Sequence, residues 1–213
     1  MAYDLEEQEQ LDELRDFWKK YGNFIMTVIT VVMVAVAAWR GWGWWELRQS
    51  GQAAQVYDQL RKAADDKDIG KVKEFAGVIF SDFNRTPYAQ MAALVAARAY
   101  FDAEDLKAAK APLQWAIDNS TDEEFRNAAR LRMAGVLLDE KAYDAGLKVL
   151  ETGVTSGPFA GLYADRRGDL LVGMGKTEEA RKAYQSALEL LGTASPLYRI
   201  VKIKADSLGG TGS

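Results

Sequence analysis

The stretch Asp165 to Leu188, DRRGDLLVGMGKTEEARKAYQSAL, decides the fold. It puts a small residue at Gly168 and an apolar one at Leu171, breaks at Gly175, and resumes with Thr177, Glu178 and Glu179 ahead of Ala180, Tyr184 and Ala187. Glycine supplies the left-handed conformation that commonly closes a helix, and acids in a first turn suit the positive end of the helix dipole. The segment reads as two helices joined by a tight turn. GMGK, Gly173 to Lys176, lacks the spacing of a phosphate-binding loop and belongs to that turn.

The same offsets recur upstream. One unit holds Ala97, Tyr100, Leu106, Ala109, Leu113 and Ala116; another holds Ala134, Leu137, Tyr143, Gly146, Leu150 and Gly153; a degenerate copy holds Ile69, Val72, Ala76 and Ile79. The key small or apolar position falls at Val72, Ala109, Gly146 and Ala180, with spacings of 37, 37 and 34. Small residues let the paired backbones approach, and larger ones plug the space between successive pairs, which is the tetratricopeptide pattern. One pair cannot bury its apolar face alone; a stack can. Thr86-Pro87 and Ser195-Pro196 read as helix starts, and Thr121 with Glu124 as a capping box. Leu197 to Leu208 reads as a helix capping the last pair.

The chain of 213 residues contains no histidine and no cysteine. Imidazole bases, thiolate nucleophiles, His/Cys zinc sites and disulfides are thereby excluded. The net charge of −4 gives no support for a nucleic-acid partner. Asp4, Glu6, Glu7, Glu9, Asp12, Glu13 and Asp16 face only Arg15, Lys19 and Lys20 in the first twenty residues, so the excess of acid sits at the N-terminus.

From Tyr21 to Trp39 no residue is charged. About 20 helical residues cover the roughly 30 Å hydrocarbon slab. The Ile, Val and Phe residues here favour insertion by on the order of 2.5 to 5 kcal/mol in all. Thr27 and Thr30 can return their hydroxyls to the helix backbone. Trp18 and Tyr21 mark one edge of the span, and Trp39, Arg40, Trp42, Trp44 and Trp45 the other, as an interfacial anchor requires. A cleavable leader is the rival reading, since Ala35-Val36-Ala37 has small-x-small form; the long, acidic preceding segment speaks against it. Arg15, Lys19 and Lys20 against Arg40 and Arg48 lean toward a cytoplasmic N-terminus.

The expected fold class is all-α: a single N-terminal transmembrane helix, then a tetratricopeptide-like superhelix of about four hairpins with a C-terminal capping helix. The expected organisation is an acidic cytoplasmic tail over 1–20, the span with its aromatic girdle over 21–45, the repeat domain over 46–208 and a flexible end over 209–213.

Taken together, the acidic tail, the span ending at Trp39-Arg40 and the repeats resemble the YfgM-type ancillary subunits of the bacterial Sec translocon over nearly the whole length. The best stretches are Ser120 to Leu150, STDEEFRNAARLRMAGVLLDEKAYDAGLKVL, and Asp165 to Leu188. The resemblance implies a single-pass inner-membrane protein with periplasmic repeats and no enzymatic activity. It also implies association with Sec subunits and with a membrane-anchored periplasmic chaperone of the prolyl-isomerase type, in the handling of exported polypeptides. Repeats alone also permit a cell-envelope adaptor for division or wall synthesis.

No catalytic, cofactor or metal site is expected. Asp65, Asp66 and Asp68 read as a solvated turn; Asp165 and Asp169, one helical turn apart, have the spacing to share a base or a metal, but with Arg166 and Arg167 beside them local ion pairing is the better reading. Mapping the first helix of each hairpin puts Leu94, Arg98, Phe101, Leu131, Leu138, Leu162, Asp165 and Val172 near a concave face, a candidate groove for a partner segment unless the C-terminal helix or neighbouring hairpins cover it.

Overall fold

A computed structural model describes residues 3–153 and 157–209. Gly210 to Ser213, most of the expected flexible end, and the side chains of the acidic stretch up to Leu14 and of Asp16 lie outside the described residues. Contacts divide the chain into one unit over 1–49 and another over 50–213. The described residues form helices and turns without strands: α1 (Tyr3–Asp65), α2 (Ile69–Asp82), α3 (Pro87–Asp102), α4 (Leu106–Asn119), α5 (Glu123–Asp139), α6 (Tyr143–Glu151), α7 (Ala160–Gly173), α8 (Thr177–Leu191) and α9 (Tyr198–Ser207).

In the first unit the apolar stretch of α1 is exposed along its length, and among the described residues it alone is long and apolar enough to cross a bilayer. Thr27 Oγ1 donates to the Asn23 carbonyl at 2.7 Å and Thr30 Oγ1 to that of Met26 at 2.8 Å, so neither hydroxyl is left for lipid to satisfy. Trp18, Tyr21, Trp39, Trp42, Trp44 and Trp45 are all exposed. The Trp42 and Trp45 rings lie 5.8 Å apart, and Arg48 stands 5.4 Å from the Trp44 ring centroid.

In the second unit the end of α1 pairs with α2, α3 with α4, α5 with α6 and α7 with α8, and α9 packs on α8. Val72, Ala109, Gly146 and Ala180 each occupy the fourth position of a hairpin's second helix, and all are buried. Alanine lets α3 face two ways: Ala89, Ala92, Ala96 and Ala99 join Leu60, Val72 and Ile79 in one cluster, while Ala93 and Ala97 join Leu113, Ala129 and Met133 in the next. Among the described residues the main helix contacts fall within a hairpin or with the adjoining one.

The four hairpins share one turn. Lys67, Glu104, Lys141 and Gly175 adopt φ of 56°, 60°, 59° and 76°. After each, an N–H reaches back five residues: Asp68 to the Ala63 carbonyl, Asp105 to Tyr100, Ala142 to Leu137 and Lys176 to Leu171, at 2.8 to 2.9 Å. This is the Schellman closure, which satisfies the last carbonyls of the first helix.

Two helix starts differ from the sequence reading. Asp122, rather than Thr121, caps α5, accepting from Glu124 N at 2.8 Å; its carboxylate is the better acceptor for a free helix N–H. Ser195-Pro196 lies in a turn after Gly192, and α9 begins at Tyr198. Thr86 precedes Pro87 at the start of α3 as expected, but its hydroxyl donates to the Phe83 carbonyl instead of capping.

Gly168 and Gly146 explain how closely the hairpins pack. A Cβ on Gly168 would run into the Tyr184 ring, and one on Gly146 would lie 2.6 Å from Leu170 Cδ2. Gly168→Ala is expected to destabilise the protein by about 1–3 kcal/mol through overpacking, read from urea denaturation in detergent. A left-handed turn costs a side-chain-bearing residue roughly 1–2 kcal/mol, while glycine adds back about 0.4–1 kcal/mol of unfolded-state entropy. Glu104→Gly and Lys141→Gly should therefore each stabilise by about 0.5–1 kcal/mol, and Gly175→Ala should move the denaturation midpoint the other way.

Candidate functional site

The first helices of the hairpins line a groove. One cavity of about 410 Å³ lies among α1, α3 and α5, lined by Tyr57, Arg61, Leu94, Arg98, Phe125 and Arg132 among others. A second, of about 320 Å³, lies among α3, α5 and α7, with Ala97, Arg98, Phe101, Val136, Asp139 and Arg166 in its wall. A third, of about 590 Å³, opens among α6, α7 and α8, lined by α7 from the row of first helices and otherwise by second helices; its lining mixes Glu151, Glu179, Arg167 and Lys182.

The eight expected groove residues separate in the fold. Leu94, Arg98 and Phe101 line the groove cavities. Leu131 and Leu138 are half-buried against the core of Ala134, Leu150, Tyr163 and Leu170, because a leucine between adjoining hairpins gains more by filling that seam than by facing water. Leu162 is half-buried, and Val172 is 41 % exposed. Asp165 is engaged by the capping helix. Lys204 Nζ reaches its two carboxylate oxygens at 2.8 and 3.0 Å and lies 2.8 Å from Asp169 Oδ1. Asp165 and Asp169 thus share one base.

Sequence reading leaves Arg61 and Arg132 out of this row and takes Arg166 only as a local ion-pair partner. Arg61 stands six residues before the left-handed Lys67, as Arg98 does before Glu104; Arg132 and Arg166 stand nine before Lys141 and Gly175. The two registers differ by about one helical turn and so share a face. Arg98 Nε bonds Asp102 at 2.7 Å, and Arg166 Nη1 is 3.6 Å from Asp169. Arg132 Nη1 donates to the Leu94 carbonyl at 3.1 Å and, like Arg61, has no carboxylate partner among the described residues. Burial, and then Arg98, pull the Arg132 guanidinium below its ordinary pKa. The Arg166 guanidinium lies over Gly135, and its Nε is buried without a hydrogen-bond partner.

Other polar groups hold the stack together. Tyr163 donates to the Asn127 carbonyl at 3.1 Å, and Arg130 Nη1 bonds Asn127 Oδ1 at 3.1 Å, tying α5 to α7; burial pushes the Tyr163 phenol up to about 12. Tyr184 donates to Asp169 Oδ1 at 2.9 Å, and burial, reinforced by Asp169, raises its pKa. Asp65, Asp66 and Lys67 lie at the end of α1 and its turn, and Asp68 caps α2. No group of three acids among the described residues is placed to hold a metal ion.

Burial raises the Asp165 carboxyl above its usual value, with Lys204 opposing. A raised carboxyl pKa favours the folded state at acid pH, and that gain disappears as pH rises through the folded value. Lys204→Met removes the opposing cation. It should cost about 1–3 kcal/mol at pH 7, and its urea midpoint should move back toward the wild-type midpoint as the pH is lowered, where protonation of Asp165 relieves the pair.

A model of the tetratricopeptide repeat-like domain family matches residues 15–210. An ancillary SecYEG translocon subunit of Neisseria gonorrhoeae is 30% identical over 98% of this chain and 100% of its own. Another with that name, from Haemophilus influenzae, is 28% identical over 88% of this chain and 91% of its own. One from Escherichia coli is 32% identical over 52% of this chain and 53% of its own.

Proposed function

The chain belongs to the tetratricopeptide repeat-like family, and on that footing we propose that it is a membrane-anchored, non-enzymatic interaction protein serving the Sec translocon. The observation that carries this reading is the groove of first helices, with Leu94, Arg98 and Phe101 in its walls, on a chain that also holds an exposed apolar helix of spanning length. The names of its relatives support the Sec assignment. Trp18 and Tyr21, and Trp39 to Trp45, set the two interfaces of the span; the segment 21–45 anchors and the residues from 46 onward form the working domain.

The anchor lies in the bacterial inner membrane with the N-terminus in the cytoplasm and the repeats in the periplasm. Arg15, Lys19 and Lys20 ahead of the span, against Arg40 and Arg48 behind it, support that orientation. There the groove links the channel to a membrane-anchored chaperone of the prolyl-isomerase type and assists the handling of exported chains.

Purification of the full-length protein from membranes in mild detergent should bring Sec channel subunits with it, and their absence would defeat the assignment. Leu94→Ser with Arg98→Ser should keep the helical circular dichroism and cut partner recovery about ten-fold, as loss of a groove anchor does. The missing native thiols allow a direct topology test. Thr121→Cys, on an exposed turn, should react with a membrane-impermeant maleimide once the outer membrane alone is opened. Protection until the inner membrane is lysed would reverse the orientation.

A further inference from the structure

Each of the four first helices brings one arginine to the groove, at Arg61, Arg98, Arg132 and Arg166. Arg98 and Arg166 have carboxylate neighbours on their own helices, whereas Arg61 and Arg132 have none among the described residues. Arg98 and Arg132 stand in the walls of the same two cavities, and two guanidinium groups that share a cavity repel each other, a repulsion that a visiting anion relieves. The wall around these groups is apolar at Ala97, Phe101, Leu113 and Val136, with Asp139 beside them. Resting on the assignment of this groove as the partner site, we infer that it accepts an acidic segment of a partner polypeptide, with a side-chain carboxylate seated among Arg98, Arg132 and Arg166 and an apolar neighbour against Phe101.

The acids of the groove fit this arrangement. Asp65 and Asp102 line the first cavity and Asp139 the second. Each stands two residues before its hairpin's left-handed position: four residues, about one turn, beyond Arg61 and Arg98, and seven, about two turns, beyond Arg132. Asp102 is held by Arg98 at 2.7 Å, while Asp65 and Asp139, with no ion-pair partner among the described residues, repel a carboxylate, so the acidic side of the segment is directed to Arg132. Guanidinium groups suit this task because their planar donors bind carboxylate in pairs.

The test uses the full-length protein in detergent and two short fluorescent peptides. One contains glutamate, leucine and serine; the other carries glutamine at every glutamate. By anisotropy the glutamate peptide should bind about ten-fold more tightly or better, and the preference should shrink as salt is added. Arg132→Gln should abolish most of the preference, and Arg61→Gln, at an exposed position, should reduce it while leaving helicity unchanged. Equal binding of the two peptides, absence of binding, or a preference untouched by both substitutions would overturn the acidic-segment proposal. Sec co-purification is scored separately on the same wild-type protein. Its loss defeats the translocon assignment, whereas its persistence alongside equal peptide binding defeats the acidic specificity alone.

Discussion

The chain must reverse direction at the same angle four times, and it does so through one residue held in the left-handed conformation at each hairpin. That turn fixes which face of the second helix meets the first. Counting forward from it, the fourth helical residue always arrives at the seam, where Val72, Ala109, Gly146 and Ala180 are buried. Counting backward from it, Asp65, Asp102 and Asp139 arrive first and the arginines of the groove one or two turns earlier. The repeat is thus a geometric frame set by a backbone constraint, within which side chains vary while positions do not.

This explains what was legible in advance. The last hairpin announces its turn with Gly175, so its two helices, its acidic first turn and its close contact at Gly168 all follow from sequence. Lys67, Glu104 and Lys141 adopt nearly the same φ without glycine, so their turns carry no local signal, and the upstream units were visible only through their small residues. The span was legible for a different reason: lipid demands a long uncharged run, and no compensating contact elsewhere is needed.

The groove was legible only in part. Leu94, Arg98 and Phe101 lie in it, but Leu131 and Leu138 fill the seam between hairpins, a choice that depends on how neighbouring pairs stack. Arg61 and Arg132 carry no local signal, and the place of Arg166 in their row is hidden, because the alignment of all three with Arg98 appears only when each is counted from its own turn. The pairing of Asp169 with Arg166 is local and legible, but Lys204, the base that Asp165 and Asp169 share, comes from a helix more than thirty residues later.

Because the main helix contacts fall within a hairpin or across one seam, the repeat unit behaves as a chain of nearest-neighbour links. A fault in such an array stays local. Damage at the Lys204 latch would fray the C-terminal hairpin first and leave Leu60, Val72 and Ile79 in register at the other end, so the molecule would lose its structure by unzipping and not all at once.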